Sequence, residues 1–148
     1  MAELAGVPLP QGETLDGTSL VSTMSPSGAG PRPYALSVYP RCPADTTNTS
    51  DMYTANDCCT VERSAFFSLG ISLRTDIWRY TVWPLWNGTS LEPQWDTPFI
   101  GTELYNHTGD DGSSFDGPYE VINHANDPAY ATIRQQLNTQ LRAAYLEH

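Results

Sequence analysis

An α+β fold, a small antiparallel sheet of about four strands covered by a C-terminal helix, is the architecture this sequence predicts. The first observation is a period of two between Phe66 and Trp86. Leu69, Ile71 and Leu73 alternate with Ser68, Gly70, Ser72 and Arg74, and Trp78, Tyr80 and Val82 alternate with Arg79, Thr81 and Trp83. Each run reads as a half-buried strand with one apolar face. The second observation is a period of 3.6 near the end of the chain. Tyr130, Ile133, Leu137, Leu141, Ala144 and Tyr145 form one apolar stripe.

Arg74-Thr75-Asp76-Ile77 suits a tight turn between the two strands. Pairing Leu73 with Trp78, Ile71 with Tyr80 and Leu69 with Val82 puts six apolar side chains on one face. A slip of one residue would turn one strand's set into water. The ordinary reading is a core hairpin, which leaves Arg74 and Arg79 on the other face. That face would show Trp83 beside Thr81 and Gly70, with Phe67 and Leu85 near its ends.

Before the hairpin, Met1 to Gly6 reads as one helical turn stopped by Gly6, and Val7-Pro8-Leu9-Pro10 breaks regular structure. Ser25 to Pro33 is loop by composition. Tyr34, Leu36 and Val38 alternate with Ala35, Ser37 and Tyr39, a strand that Pro40 ends. After the hairpin, Asn87-Gly88 is a turn, Leu91 to Thr97 is loop or short strand, and Ile100 to Tyr105 is a strand. Asp110 to Asp116 has the composition of a calcium loop. It lacks the alternating oxygen ligands and closing Glu, so it reads as a solvated loop. Asp127-Pro128 opens the helix, Asp as N-cap and Pro as first helical residue.

With 148 residues the chain makes one core of useful size. Its net charge of −10 disfavours nucleic acid and anionic membrane surfaces as partners. All seven cations are Arg, so no lysine chemistry can be completed within the chain. No apolar run approaches the roughly 20 residues of a membrane span, and the N-terminus lacks the pattern of a signal peptide. Three N-x-S/T sequons, at Asn48, Asn87 and Asn106, hint at the secretory pathway. Cys42, Cys58 and Cys59 cannot all pair within one chain. Cys42 and one of the adjacent pair would close a loop of about 17 residues, worth roughly 3 kcal/mol on the chain-entropy model. A metal site is the alternative, less favoured because His107, His124 and His148 lie far off in sequence. No nucleophile-plus-base pair, Gly-rich phosphate loop or H-E-x-x-H stands out.

Six segments occur in a telling order: residues 3–10 (ELAGVPLP), 15–20 (LDGTSL), 38–41 (VYPR), 72–83 (SLRTDIWRYTVW), 103–107 (ELYNH) and 126–128 (NDP). Together they resemble the C-terminal part of the sulfatase family, iduronate-2-sulfatase and its relatives in particular. Asn106 stands where the family usually has Asp. The resemblance implies the C-terminal subdomain of an alkaline-phosphatase-like sulfatase fold in residues 33–148. Residues 1–32 would be a linker and remnant of the upstream catalytic domain, and Met1 an internal methionine. It also implies a sulfuric ester hydrolase of sulfated glycans such as glycosaminoglycans, lysosomal or extracellular, using calcium and formylglycine.

None of that machinery can be placed here. Cys42 is followed by Pro-Ala-Asp-Thr and Cys59 by Thr-Val-Glu-Arg, where the formylglycine motif is C-x-P-S-R. The chain alone is therefore expected to be inactive, to hold no cofactor, and to have the missing catalytic domain as its partner. The resemblance pairs Cys42 with Cys58 and leaves Cys59 extra. Arg41, Arg74 and Arg79 are the residues suited to a sulfate or carboxylate, with Trp and Tyr faces to stack on sugar. The competing reading is a stand-alone carbohydrate-binding or structural module. In the ordinary alternative these Arg make structural hydrogen bonds within the sheet.

Overall fold

The computed structural model describes residues 2–8, 12, 17–24, 30, 32–42, 61–113 and 117–147. Four antiparallel strands, β1 (Ala35–Arg41), β2 (Ser68–Arg74), β3 (Trp78–Trp83) and β6 (Gly101–Asn106), form one sheet in the order β1-β2-β3-β6. Two short strands, β4 (Trp86–Asn87) and β5 (Glu92–Pro93), make a small separate hairpin. The chain closes with helix α1 (Ala131–Leu146).

The core lies between one sheet face and α1. Leu69, Ile71, Leu73, Tyr80, Val82 and Leu104 from the sheet pack with Ala125, Leu137, Leu141 and Ala144. Tyr130, Ile133 and Tyr145 complete the helical stripe at the rim. Fully burying a side chain of this size is worth about 1.5–3 kcal/mol, so this layer is the main source of stability. The helix is held at both ends. Asp127 Oδ1 accepts from Ala129 N at 2.9 Å and opens a 3-10 turn, Pro128–Tyr130, that runs into α1. Near the other end Arg142 lies over the Trp95 ring at 5.2 Å and donates to the Trp95 carbonyl. Trp95 also meets Tyr145 edge-on at 5.4 Å.

The hairpin register differs from the sequence expectation by two residues. Leu73 faces Tyr80 and Ile71 faces Val82, with Arg74 opposite Arg79. Thr75 causes the shift. Its N–H donates to the Trp78 carbonyl at 2.8 Å, and its Oγ1 accepts from Trp78 N at 3.0 Å. The turn thereby shrinks to Asp76 and Ile77. A two-residue shift preserves the parity of each strand, so the apolar face is the expected one.

Strand β1 runs on through Pro40 to Arg41. Pro40 is tolerated because β1 is an edge strand, where a missing N–H costs the ladder nothing on its outer side. The opposite edge, β6, is blocked by the segment before α1. Asn123 Oδ1 accepts from Leu104 N and Ala125 N, its Nδ2 donates to the Thr102 carbonyl, and His124 N donates to the Leu104 carbonyl. Paired edges do not recruit further strands. Residues 2–6 form a turn with Gly6 in the left-handed region at φ 64°, which suits the stop expected at that glycine.

Candidate binding site on the sheet face opposite the helix

The residues left over from the core pattern line the second sheet face. Tyr39 stands opposite Gly70, and Trp83 opposite Gly101. The two glycines leave room for the indole to lie flat across the sheet. A Cβ on Gly70 would stand 2.5 Å from Trp83 Cζ3, and one on Gly101 would stand 3.4 Å from Trp83 Cδ1. The exposed apolar patch expected here is therefore not formed: Gly70, Ser68 and Thr81 are buried and Trp83 is half-buried. Thr81 Oγ1 donates to Ser72 Oγ at 2.9 Å across the strands.

Arg41 is placed by this row. Its guanidinium carbon lies 5.1 Å from the Tyr39 ring centre and 5.0 Å from that of Trp83. Both fall inside the roughly 6 Å range of cation–π attraction. Among the described residues its contacts are these two rings. Trp83 Nε1 donates to Glu103 Oε1 at 2.8 Å, which fixes both the indole and the carboxylate. A cavity of about 310 Å³ opens among Arg41, Ser68, Trp83, Thr102, Glu103 and Asn123. It offers an aromatic wall, one planar cation, one carboxylate, and hydroxyl and amide groups. That set suits a hydroxylated ring bearing an acidic group. Among the described residues no histidine or cysteine lines it.

At the other end of this face the structure brings Arg74 and Arg79 together, away from Arg41. Arg74 Nη2 lies 3.4 Å from Asp110 Oδ2, and Arg79 Nη1 donates to Glu120 Oε1 at 2.5 Å. His107 sits between these pairs, with Nδ1 2.8 Å from Asp110 Oδ2 and Nε2 3.2 Å from Glu120 Oε1. Its ring stacks on Tyr119 at 5.7 Å. The hydrogen bond from His107, then that from Gly112 N, holds the Asp110 carboxyl below the ordinary value of 3.8. Burial, and then the Glu103 carboxylate, push the Tyr105 phenol above its ordinary value. Arg74 and Arg79 thus have structural partners, and of the three only Arg41 lines the cavity, with no ion pair among the described residues.

Sequence reasoning missed this cluster. The Asp110 loop, read as merely solvated, is tied down at its first residue. The available signal was the H-x-x-D spacing of His107 and Asp110 just after a strand, which puts both side chains on one turn.

Cys42 is buried and disulfide-bonded. Cys58 and Cys59 lie outside the described residues, so its pairing with Cys58 stays with the resemblance. Asn48 also lies outside them. Asn87 is exposed, its Oδ1 accepting from Thr89 N and Ser90 N. Asn106 is half-buried, its Oδ1 accepting from Thr108 N. Among the described residues no helix is long and apolar enough to cross a membrane. Neither a protein-family model nor a curated protein matches the chain.

Proposed function

We propose that this chain serves as the small C-terminal subdomain of a sulfatase-like sulfuric ester hydrolase acting on sulfated glycans. Its Arg41 cavity would receive an acidic sugar beside the reaction centre. The ordered set of six motif segments carries the reading. Three of them form β1, the β2–β3 hairpin and β6, and a fourth opens the turn before α1. The Arg41 cavity adds chemical support, because a guanidinium fork matches sulfate and carboxylate in two parallel hydrogen bonds. Formylglycine and calcium would belong to the catalytic domain, as would the pairing surface that completes the cleft. The parent would work in a lysosomal or extracellular setting.

A second reading, a carbohydrate-binding module without catalysis, rests on the chemistry of the Arg41 cavity, whose indole wall and guanidinium could hold an acidic sugar without any catalytic residue. Transcript sequencing upstream of Met1 separates the two. An in-frame C-x-P-S-R or C-x-P-x-R motif supports the hydrolase, whereas an in-frame stop just upstream leaves only the module. The purified chain should not turn over an aryl sulfate, and contaminant-free turnover would defeat both readings. Titration with a sulfated disaccharide and its desulfated counterpart tests the cavity. The sulfated form should shift Trp83 Nε1–H and Asn123 signals, and Arg41→Ala should abolish those shifts. Unchanged binding by Arg41→Ala would remove this cavity from the reading.

A further inference from the structure

A second cleft lies on the helix side of the sheet, away from Arg41. Thr102 stands opposite Val82 in the β3–β6 register, so it belongs to the core face, whereas its neighbour Glu103 belongs to the face of the Arg41 cavity. A cleft of about 490 Å³ opens there between the first half of α1, Tyr80 of β3 and Thr102 of β6. That volume falls within the range of small-molecule sites.

Its lining stands out by charge. The chain carries a net charge of −10, yet the 16 residues of α1 include Arg134 and Arg142 and no Asp or Glu. Gln135 and Asn138, three residues apart, present carboxamides on one side of the helix, and Asn126 adds another from the segment before it. Arg134 is half-buried among them. Its Nη1 donates to the Ala125 carbonyl, which anchors the guanidinium at one corner. Among the described residues no carboxylate comes within ion-pair distance of Arg134, and no Asp or Glu lines the cleft.

The floor carries a hydroxyl that the fold leaves poorly matched. Tyr80 is 2 % exposed, and among the described residues its Oη reaches only Asn138 Oδ1, at 3.5 Å, the outer limit of a hydrogen bond. A buried hydroxyl without a good partner costs free energy that a ligand acceptor would recover. Arg134 is near enough for its charge to act on that phenol. The two donors converge, which suits a carboxylate. The carboxamides both donate and accept, as ring hydroxyls do. Phe99, set edge-on against Trp95 at 6.4 Å, gives an apolar wall for the C–H face of a ring. Arg134 is the one cation among the described lining residues, so a second negative charge would go unmatched.

We propose that this cleft is a second ligand site, for a hydroxylated ring bearing a single carboxylate. Arg134 and the Tyr80 hydroxyl take the carboxylate, Gln135 and Asn138 take the ring hydroxyls, and Phe99 takes the ring face. The site needs neither the Arg41 cavity nor the sulfatase reading.

The test uses the full chain, ¹⁵N-labelled and titrated with galacturonate, galactose and acetate. Galacturonate should shift the side-chain amide signals of Gln135 and Asn138 in a saturable way. Galactose lacks the charge and acetate lacks the hydroxyls, so each should bind roughly tenfold or more weaker. Tyr80→Phe keeps the core volume and Gln135→Ala lies on the exposed side of the helix. Each should weaken galacturonate binding roughly threefold to tenfold. Arg41→Ala should leave the affinity unchanged, which separates this site from the other cavity. The absence of a saturable shift with galacturonate, equal binding of galactose or acetate, unchanged affinity in Tyr80→Phe or Gln135→Ala, or weakened binding in Arg41→Ala would each overturn the proposal.

Discussion

Trp83 lies so close over Gly70 that a Cβ on the glycine would stand 2.5 Å from Cζ3 of the indole. The glycine is what lets an aromatic side chain lie flat on the sheet and form a wall for Arg41. In an ordinary strand interior Gly→Ala gains roughly 0.5–1 kcal/mol. Here the added methyl meets a rigid ring, and overpacking costs about 1–3 kcal/mol. Gly70→Ala should therefore destabilise the chain in urea unfolding and tilt the indole, changing its fluorescence. The double variant Gly70→Ala, Trp83→Ala should cost less than the sum of the single changes. Additive losses would show that the two side chains do not compete for one space.

The helical stripe makes a sharper energetic prediction. Leu141 is wholly buried and Leu146, five residues on, is 75 % exposed. Leu141→Ala removes packed methyl groups and leaves a cavity, so it should cost about 2–5 kcal/mol. Leu146→Ala should stay within about 0.5 kcal/mol of the unaltered chain. Equal losses in chemical denaturation would mean that α1 does not seat on the sheet through Leu137, Leu141 and Ala144.

These two cases mark what sequence reading reaches. Strand parity and the helical stripe are local periodicities, so the apolar faces of β2, β3 and α1 were legible residue by residue. The Asp127-Pro128 start was legible because capping is chemistry between near neighbours. Register was not, because it turns on one hydroxyl: Thr75 bonds to both backbone groups of Trp78 and tightens the turn by two residues. The strand end at Pro40 was misjudged because edge position is a property of the whole sheet. The Arg41–Trp83 stack joins residues 42 positions apart in sequence across two strand pairings. No spacing rule marks such a contact, whereas the two arginines flanking the hairpin turn, Arg74 and Arg79, were at least visible as unexplained cations.

Tyr80 reports on the same core from the alkaline side. Burial pushes its phenol from 10.0 up to about 12, against the pull of the Arg134 and Arg142 charges. A raised value means that the folded chain holds this proton more tightly than the unfolded chain does. The associated stability is complete below about pH 10 and is lost as pH climbs toward 12. Phenolate absorbance should show one tyrosine titrating last, near pH 12 or together with unfolding. Tyr80→Phe should remove that late step. Its hydroxyl makes only a 3.5 Å contact with Asn138 Oδ1, so the substitution should cost under about 1 kcal/mol. A normal tyrosine titration for all eight phenols would refute the burial.

On the acid side the sign reverses. Asp110 is held below 3.8 first by the hydrogen bond from His107 and then by that from Gly112 N, with the Arg74 charge adding a smaller pull. Asp111 is lowered by Ser113, through its side chain and then its backbone N–H. A depressed carboxyl contributes stability that is present above 3.8 and lost as pH falls through its lower folded value. Acid should therefore loosen residues 107–113 before it disturbs the Leu104–Leu141 core, whose groups carry no charge. Exchange measured between pH 5 and pH 2 should show amides 107–113 losing protection while those of 71–73 and 80–82 keep theirs. Asp110→Asn should weaken that acid response, because an amide at this position no longer takes up a proton, although it also loosens the turn at neutral pH by removing the carboxylate from Arg74. Simultaneous loss of protection in the loop and the core strands would show that the acid limb belongs to global unfolding rather than to the Asp110 turn.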